Sequence, residues 1–206
     1  MSETTVSHIS PAIIRIAQYF SGLTPGQDEW EEMSRALATF LDIAAVAFAR
    51  GDTGGEMRFH HWTLSAERDG ADMSGIETQL AGSAAEVCAH GFLSTCTVAS
   101  PEDMSFALLP VGMSEDGAVV LALGRAAPDT FAKAELDLYL AIAGLAASTA
   151  DRLSSERKLR RHREELENLV AERTEEVTKV NRELQAENLE RARAERRVAH
   201  LNRVLH

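Results

Sequence analysis

An α+β fold with a long C-terminal helix is predicted by three features of this sequence. Short runs of β-forming residues come in pairs separated by turn residues, which predicts hairpins and therefore a mostly antiparallel sheet. Stretches with apolar residues at helical spacing lie before and between these runs, and they predict helices packed on the sheet. From Lys133 the helical pattern continues without proline to His206.

The predicted elements follow one another as helix, helix, hairpin, helix, strand, hairpin and long helix. Ser10 and Pro11 predict the start of the first helix, because serine caps helices well and proline suits the first helical position. A second helix is predicted up to Leu41. The remaining predicted elements are strands at 43–49, 57–64, 92–98, 106–111 and 118–123, a helix at 76–89 and the last helix from 133.

Charged residues are distributed unevenly along the chain. Residues 1–150 carry 7 basic and 20 acidic side chains, a net charge of −13, whereas residues 151–206 carry 14 basic and 12 acidic ones, a net charge of +2. The acidic N-terminal part lacks the cationic surface that nucleic acids require, so no nucleic-acid partner is expected. The C-terminal part, dense in charges of both signs, is typical of a solvated helical rod.

The sequence indicates a cytoplasmic protein. No apolar run approaches the ~18 residues that a membrane-spanning helix needs. The N-terminus lacks the basic and apolar stretches of a secretory signal. The only two cysteines, Cys88 and Cys96, are too few for a disulfide scaffold and lack Cys-x-x-Cys spacing.

Two segments of the N-terminal part resemble a known family. The segment SFALLPVGMSEDGAVVLALGRAAPDTFAKAELDLYLAIAGLAAS, at 105–148, resembles the C-terminal half of a GAF domain. The segment VCAHGFLSTCTV, at 87–98, is similar to the stretch that usually precedes it. The resemblance covers residues 8–152. It implies a GAF-like antiparallel sheet flanked by helices, with a sensor domain at 1–152 and a signalling helix at 153–206.

The long C-terminal helix predicts a parallel dimeric coiled coil. A helix of more than 70 residues needs a buried seam to be stable in water. One heptad register fits, with ten of fourteen a and d positions apolar, and the valines at a positions favour a parallel dimer. The apolar seam positions are Leu159, Leu166, Val170, Val177, Val180, Leu184, Ala194, Val198, Leu201 and Leu205.

Four ionisable residues interrupt this seam: Arg163, Arg173, Glu187 and Arg191. Their aliphatic stems can lie along the seam while the charged ends stay in water. Alternatively, they keep the rod marginally stable, so that it rotates or slips register when the sensor changes state. The heptad pattern is also interrupted near residues 149–156, where Leu153 lies one position away from the register of the later residues. A phase change is expected where a domain helix continues as a coiled coil.

The segment LENLVAERTEEVTKVNRELQAENLERARAERRV, at 166–198, resembles the signalling helices that link GAF or PAS sensors to histidine kinases. The two resemblances together imply the N-terminal sensor region of a bacterial or archaeal sensor histidine kinase of a two-component system. Such a region is a homodimer that relays a conformational change through the coiled coil to an output domain further along the full-length chain. The alternatives are a dimerisation spacer without a ligand, and a sensor that binds haem or another chromophore.

Three adjacent residues of the second strand are candidates for ligand binding: His60, His61 and Trp62. Because neighbouring strand residues face opposite sides of a sheet, the two histidines cannot ligate one metal together, and no metal site is expected. Either histidine could serve as an axial haem ligand, since some GAF domains bind haem, or could simply be a surface or half-buried residue. Strand alternation places Trp62 on the face of His60, where it lines a cavity or packs in the core.

Cys88 and Cys96 are the remaining candidates for ligand binding. They could form a redox pair or anchor a chromophore; the simpler interpretation is that they are small buried apolar residues. GAF domains that bind cyclic nucleotides are associated with an Asn-Lys-Phe-Asp-Glu-type motif, whereas residues 1–167 contain no asparagine. The sequence therefore implies no particular cofactor. No catalytic motif is present, so this segment is not expected to be an enzyme.

Overall fold

The computed structural model describes residues 2–25, 29–51, 56–65, 73–98, 103–114, 117–127 and 130–204. The side chains of residues 2–10, 61, 113–114 and 198–204 are not among those described. The chain divides into two compact units, Met1–Glu156, called the head below, and Arg157–His206, called the rod.

Four helices and five strands make up the described part of the chain. The helices are α1 (Ser2–Gly22), α2 (Glu29–Leu41), α3 (Ser74–His90) and α4 (Lys133–Val204). The strands are β1 (Ala45–Gly51), β2 (Met57–Leu64), β3 (Ser94–Val98), β4 (Met104–Ser114) and β5 (Gly117–Ala126). None of the described helices is long and apolar enough to cross a membrane.

The first helix begins earlier than the sequence predicts. Pro11 lies inside α1 rather than at its first position, so the prediction that Ser10 caps this helix is wrong. A proline within a helix removes its own main-chain hydrogen bond, and the residues before it can nevertheless remain helical. The Ser10-Pro11 pair therefore does not mark the start of α1, because the helix tolerates this proline in its interior.

The sheet is antiparallel throughout, in the order β2-β1-β5-β4-β3. The hairpins β1–β2 and β4–β5 form as predicted, and β5 pairs with β1 to join them. The single strand β3 lies at one edge, beside β4, and β2 lies at the other.

Apolar residues on the two faces of the sheet form two separate cores. On one face, α1, α2 and the first part of α4 cover the sheet, with Phe20, Leu37 and Tyr139 among the fully buried residues; this is called the three-helix core. On the other face, α3 covers the sheet through residues such as Leu80, and among the described helices it is the one that packs there; this is called the α3 core. A sheet covered on both faces requires apolar residues at successive strand positions, and β1 and β5 show such runs.

Residue Leu153, which lies out of phase with the predicted seam, is fully buried in the head. Nearby, the guanidinium of Arg152 donates hydrogen bonds to the main-chain oxygens of Phe20 and Leu23, at 3.1 and 3.0 Å, where α1 has ended. These hydrogen bonds connect α4 to the C-terminal end of α1. The heptad register changes near Leu153 because this stretch of α4 still packs within the head and has not yet entered the predicted coiled coil.

Candidate functional site

The second strand contains a β-bulge that determines which candidate residues lie together. Val46 pairs with Thr63 and Phe48 with His60, so two residues of β2 lie opposite Ala47 alone. A bulge of this kind shifts the alternation of side chains by one position. Trp62 therefore packs in the α3 core, whereas the exposed His60 belongs to the opposite face. The prediction that these two residues share a face is wrong for this reason.

Trp62 joins β2 to α3. Its ring stacks on Phe59, with centroids 5.4 Å apart, and meets the ring of Phe106 edge-on at 6.2 Å. Its indole N–H donates a 2.6 Å hydrogen bond to the carboxylate of Glu77 on α3. A Cβ at Gly124 would lie 2.6 Å from the ring of Phe106, so only glycine leaves room for that ring. Aromatic side chains thus fill this part of the α3 core, where Trp62 acts as a packing residue.

Both cysteines also pack at the edge of the α3 core and are partly buried free thiols. Burial raises the pKa of Cys88. Burial likewise raises the pKa of Cys96, and a hydrogen bond with Ser83 offsets this only in part. Because the thiolate is the reactive form, neither cysteine is activated as a nucleophile. The structure gives them the environment of small apolar residues.

The predicted ligand residues whose side chains are described are divided between the two faces of the sheet. Trp62, Cys88 and Cys96 belong to the α3 core, His60 lies on the other face, and the side chain of His61 is outside the described residues. Over the described ranges, no group of three or more histidine, cysteine, aspartate or glutamate side chains could hold a metal ion.

A buried ion pair, which sequence reasoning missed, joins the end of β5 to the start of α4. The guanidinium of Arg125 donates two hydrogen bonds of 3.1 Å to the carboxylate of Glu135 and one of 2.6 Å to the hydroxyl of Tyr139. It also lies 4.9 Å from the centroid of the Phe131 ring, within the range of a cation–π contact. These four residues are called the β5–α4 joint.

Glu135 has a second role in the β5–α4 joint, because it caps α4. Its carboxylate accepts a 2.8 Å hydrogen bond from the N–H of Ala132, whose own C=O accepts the first helical hydrogen bonds. This is the reciprocal half of a capping box, and a glutamate three residues after the cap is the sequence signal that could have revealed it. Only 4% of Glu135 is exposed.

Charge and burial set the protonation behaviour of the joint. Burial by itself lowers the pKa of Arg125, but the hydrogen bond with Glu135 and the attraction of Tyr139 and Glu135 raise it overall. Burial raises the pKa of Tyr139, and the nearby guanidinium reduces that effect. Arg125 thus stays charged and Tyr139 stays protonated at neutral pH, so neither of these two groups changes its charge near neutral pH.

The rod presents the predicted seam residues to solvent in the single chain. Leu159, Leu166, Val170, Val177, Val180 and Leu184 are 47–70% exposed. Ala194 lies in the same helix, and so do Val198 and Leu201, whose side chains are not described; Leu205 lies outside the described residues.

Three of the four ionisable seam residues make ion pairs within their own helix. Arg163 pairs with Glu167 at 2.7 Å, Arg173 with Glu176 at 2.6 Å, and Arg191 with Glu195 at 3.2 Å. In the predicted register these three glutamates occupy e or g positions, at the margins of the seam. Glu187 is exposed. The guanidinium groups are therefore directed to the sides of the seam, as expected if only their stems lie along it.

Comparison with known proteins supports the fold. No protein-family model and no curated protein matches the sequence. The structure is similar to the GAF domain of a phosphoenolpyruvate-protein phosphotransferase from Coxiella burnetii, with 14% identity, a TM-score of 0.54, and coverage of 73% of this chain and 97% of that one. The corresponding GAF domain from Acinetobacter has 14% identity, a TM-score of 0.51, and coverage of 75% and 97%.

A third similar structure is an enzyme, the free methionine-R-sulfoxide reductase of Neisseria meningitidis in complex with its substrate. It has 13% identity and a TM-score of 0.51, with coverage of 76% of this chain and 95% of that one. Identities of 13–14% establish the fold and not the activity. The antiparallel sheet flanked by helices, together with these likenesses, shows that this chain has a GAF-like fold with a long C-terminal helix.

Proposed function

We propose that this chain is the regulatory sensor and signal-transmission module of a multidomain signalling protein. It acts as a homodimer, held by a parallel coiled coil, and relays a conformational change of the head to an output domain such as a sensor histidine kinase. One observation carries the proposal: α4 packs on the sheet in the head, and the same unbroken helix presents a heptad row of apolar residues in the rod.

The exposed row supports dimerisation on energetic grounds. An isolated helix with valine and leucine side chains half to two-thirds exposed has no tertiary packing to stabilise it. Burying such side chains contributes about 1.5–3 kcal/mol for each one fully removed from water. A second copy offers the same row in a parallel arrangement, with valines at a positions.

The charged seam residues support a rod that can change state. Each pair of arginine and glutamate within the helix is exposed and contributes at most about 1 kcal/mol, so it does not lock the seam. A seam interrupted at Arg163, Arg173, Glu187 and Arg191 is less stable than one of uniform leucine. It therefore permits a change of rotation or register at a modest free-energy cost.

The β5–α4 joint could transmit a movement of the sheet to the long helix. Because Arg125 and Glu135 are paired at short range and Glu135 also caps α4, a displacement of β5 changes the start of α4. The resemblance of residues 166–198 to signalling helices favours a histidine kinase. We place the module in the cytoplasm because its N-terminus lacks the pattern of a secretory signal and its two cysteines lack the spacing of a disulfide scaffold.

The rival functions have less support from the site. A reductase or a cysteine-linked chromophore sensor needs a reactive thiol, whereas burial raises the pKa of both cysteines. A haem sensor would need a histidine that faces a cavity; His60 is exposed, and the side chain of His61 is outside the described residues. Purified protein without visible absorption after reconstitution with haem or biliverdin would agree with the proposal.

Analytical ultracentrifugation tests the dimer. We expect the unmodified chain to sediment as a dimer at micromolar concentration. Val170→Lys, at a seam position, should shift the chain to monomer, because two lysines would face each other in the core of the coil. Ala171→Lys places the same charge on the next, exposed residue and should leave the dimer intact. A monomeric unmodified chain, or equal effects of the two variants, would contradict the proposal.

Disulfide cross-linking tests the parallel arrangement. In a chain whose two native cysteines are replaced by alanine, Leu166→Cys lies near one end of the rod. A parallel dimer brings the two copies of this residue together, and oxidation should link them. In an antiparallel dimer they would lie far apart, so failure to cross-link in a protein that sediments as a dimer would refute the parallel arrangement.

A further inference from the structure

A small cavity of about 170 Å³ lies on the head beside the edge strand β3. It is formed by β3, by β4 and by the segment that leads into α4. Its side-chain lining consists of Thr95, Thr97, Ser105, Thr130, Phe131 and Leu136. Cys96 and Phe106 also border it, but both belong to the α3 core, so they meet this cavity through their main chain. The cavity is thus on the face opposite to α3.

Strand register places three hydroxyl groups of this cavity, those of Thr95, Thr97 and Ser105, on one surface. Thr97 pairs with Ser105, and Ser105 pairs with Arg125, so these three neighbours share one face of the sheet. Thr95 is two residues along from Thr97 and lies on the same face. Ser105 is 6% exposed, whereas both threonines of β3 are exposed. The row therefore runs from solvent into the head.

These hydroxyls are available to a ligand. Within the described ranges, no side chain or main-chain group makes a hydrogen bond with the hydroxyl of Thr95, Thr97, Ser105 or Thr130. Other hydroxyls of the head are engaged, as Ser34 is with Thr63 at 2.8 Å. A hydroxyl both donates and accepts, so a row of them complements a ligand that bears several hydroxyls of its own.

Part of the cavity lining is apolar. Phe131 and Leu136 are partly buried residues that pack against the three-helix core and line the same cavity as the hydroxyl groups. None of the six lining side chains carries a charge. A ligand that fits this lining carries both hydroxyl and C–H groups, and it is uncharged.

We infer that this cavity binds a small uncharged polyol, whose hydroxyls meet Thr95, Thr97, Ser105 and Thr130 and whose carbon skeleton lies against Phe131 and Leu136. A protein cavity of about 150 Å³ accommodates benzene, so the ligand has about six to ten non-hydrogen atoms. Glycerol, erythritol and a pentose span this range.

The position of the cavity gives the ligand an effect on α4. Phe131, which lines the cavity, lies over the guanidinium of Arg125 and meets the ring of Tyr139 edge-on at 6.0 Å. Leu136 directly follows Glu135. A bound polyol therefore contacts residues that hold the β5–α4 joint and stabilises one geometry of the helix start. This consequence rests on the proposed sensor function, while the binding itself does not.

Saturation-transfer NMR with the full chain tests the binding, with glycerol, erythritol and ribose as probes. We expect transfer to the C–H protons of at least one probe and a saturable dissociation constant. Thr97→Val and Ser105→Ala each remove one hydroxyl with little change of shape, and each should weaken binding about fivefold. Thr39→Val and Ser148→Ala make the same exchanges at hydroxyls that bond only to their own helix, and they should leave binding unchanged.

Several outcomes would overturn the inference. These are no saturable binding of any probe, equal effects of the cavity and control variants, or tighter binding of n-pentanol than of every polyol. Circular dichroism confirms that each variant is folded. Dimerisation is measured separately by sedimentation, so a failed binding test removes the polyol site and leaves the proposed function standing. If the chain is monomeric but binds a polyol, the polyol site stands and the proposed function is contradicted.

Discussion

Replacing Glu135 by alanine tests the β5–α4 joint most directly. The substitution removes both hydrogen bonds from the guanidinium of Arg125 and the hydrogen bond from the N–H of Ala132. It leaves a partly buried positive charge that keeps its hydrogen bond to the hydroxyl of Tyr139 and its contact with the ring of Phe131. It also removes the reciprocal half of the capping box at the start of α4.

The expected decrease in the free energy of unfolding can be estimated from these contacts. Removing one partner of a buried ion pair costs about 3–5 kcal/mol. The side chain of Arg125 is 22% exposed and keeps Tyr139, so we take about 2 kcal/mol for this part. Loss of the capping hydrogen bond from the N–H of Ala132 adds about 1 kcal/mol. The free energy of unfolding should therefore fall by about 3 kcal/mol, which lowers the Tm by about 6–12 °C in a domain of this size.

Unfolding in guanidinium chloride, followed by circular dichroism, measures this loss. Glu31→Ala is the matched control, because Glu31 also pairs with an arginine, Arg35, at 2.6 Å. Both partners of that pair are about half exposed, so its removal should cost at most about 1 kcal/mol. If Glu135→Ala costs no more than the control, burial does not strengthen the joint and our reasoning about it is refuted.

Two substitutions and one labelling experiment test other parts of the head. Trp62→Phe keeps an aromatic ring but loses the 2.6 Å hydrogen bond to Glu77, and we expect the free energy of unfolding to fall by about 1.5–2 kcal/mol; an unchanged midpoint would show that the bond is dispensable. Both cysteine thiols have raised pKa values, so they should react with Ellman's reagent at pH 8 more slowly than free cysteine, and faster once the chain is unfolded. Labelling of the folded chain at the rate of free cysteine would contradict their burial. A hydrogen bond from Tyr19 lowers the pKa of Glu32, so Tyr19→Phe should raise that pKa towards its ordinary value in an NMR titration. The sign follows from linkage: the ionised form is favoured by folding, so the stabilisation is present above the ordinary pKa of glutamate and disappears on acidification.

Much of the fold could be predicted from local patterns. Alternation and turn residues identified the two hairpins, and helical spacing identified α3 and the long α4. These patterns are readable because they reflect which face of an element is buried, and each needs only nearby residues. The start of α1 was the exception, since Pro11 is compatible with two positions in a helix.

The candidate site was less predictable, because it depends on pairings between distant residues. Alternation counted from the sequence placed Trp62 with His60, and a bulge opposite Ala47 moved it to the other face. A one-residue shift reverses every later side chain of a strand, and nothing in β2 by itself marks where the shift occurs. Both cysteines looked equally free to serve as ligands until packing placed them at the α3 core.

The sequence by itself determined the kind of protein this is: an α+β head with a GAF-like pattern, followed by a helix with a heptad row. Only the tertiary structure decided where chemistry can occur. The ion pair between Arg125 and Glu135 and the hydroxyl row across Thr97 and Ser105 both depend on which strands are neighbours and in which register. Strand order is a property of the whole sheet. Its register is set by the packing of both cores, so residues far apart in the chain acquire a common site only after folding.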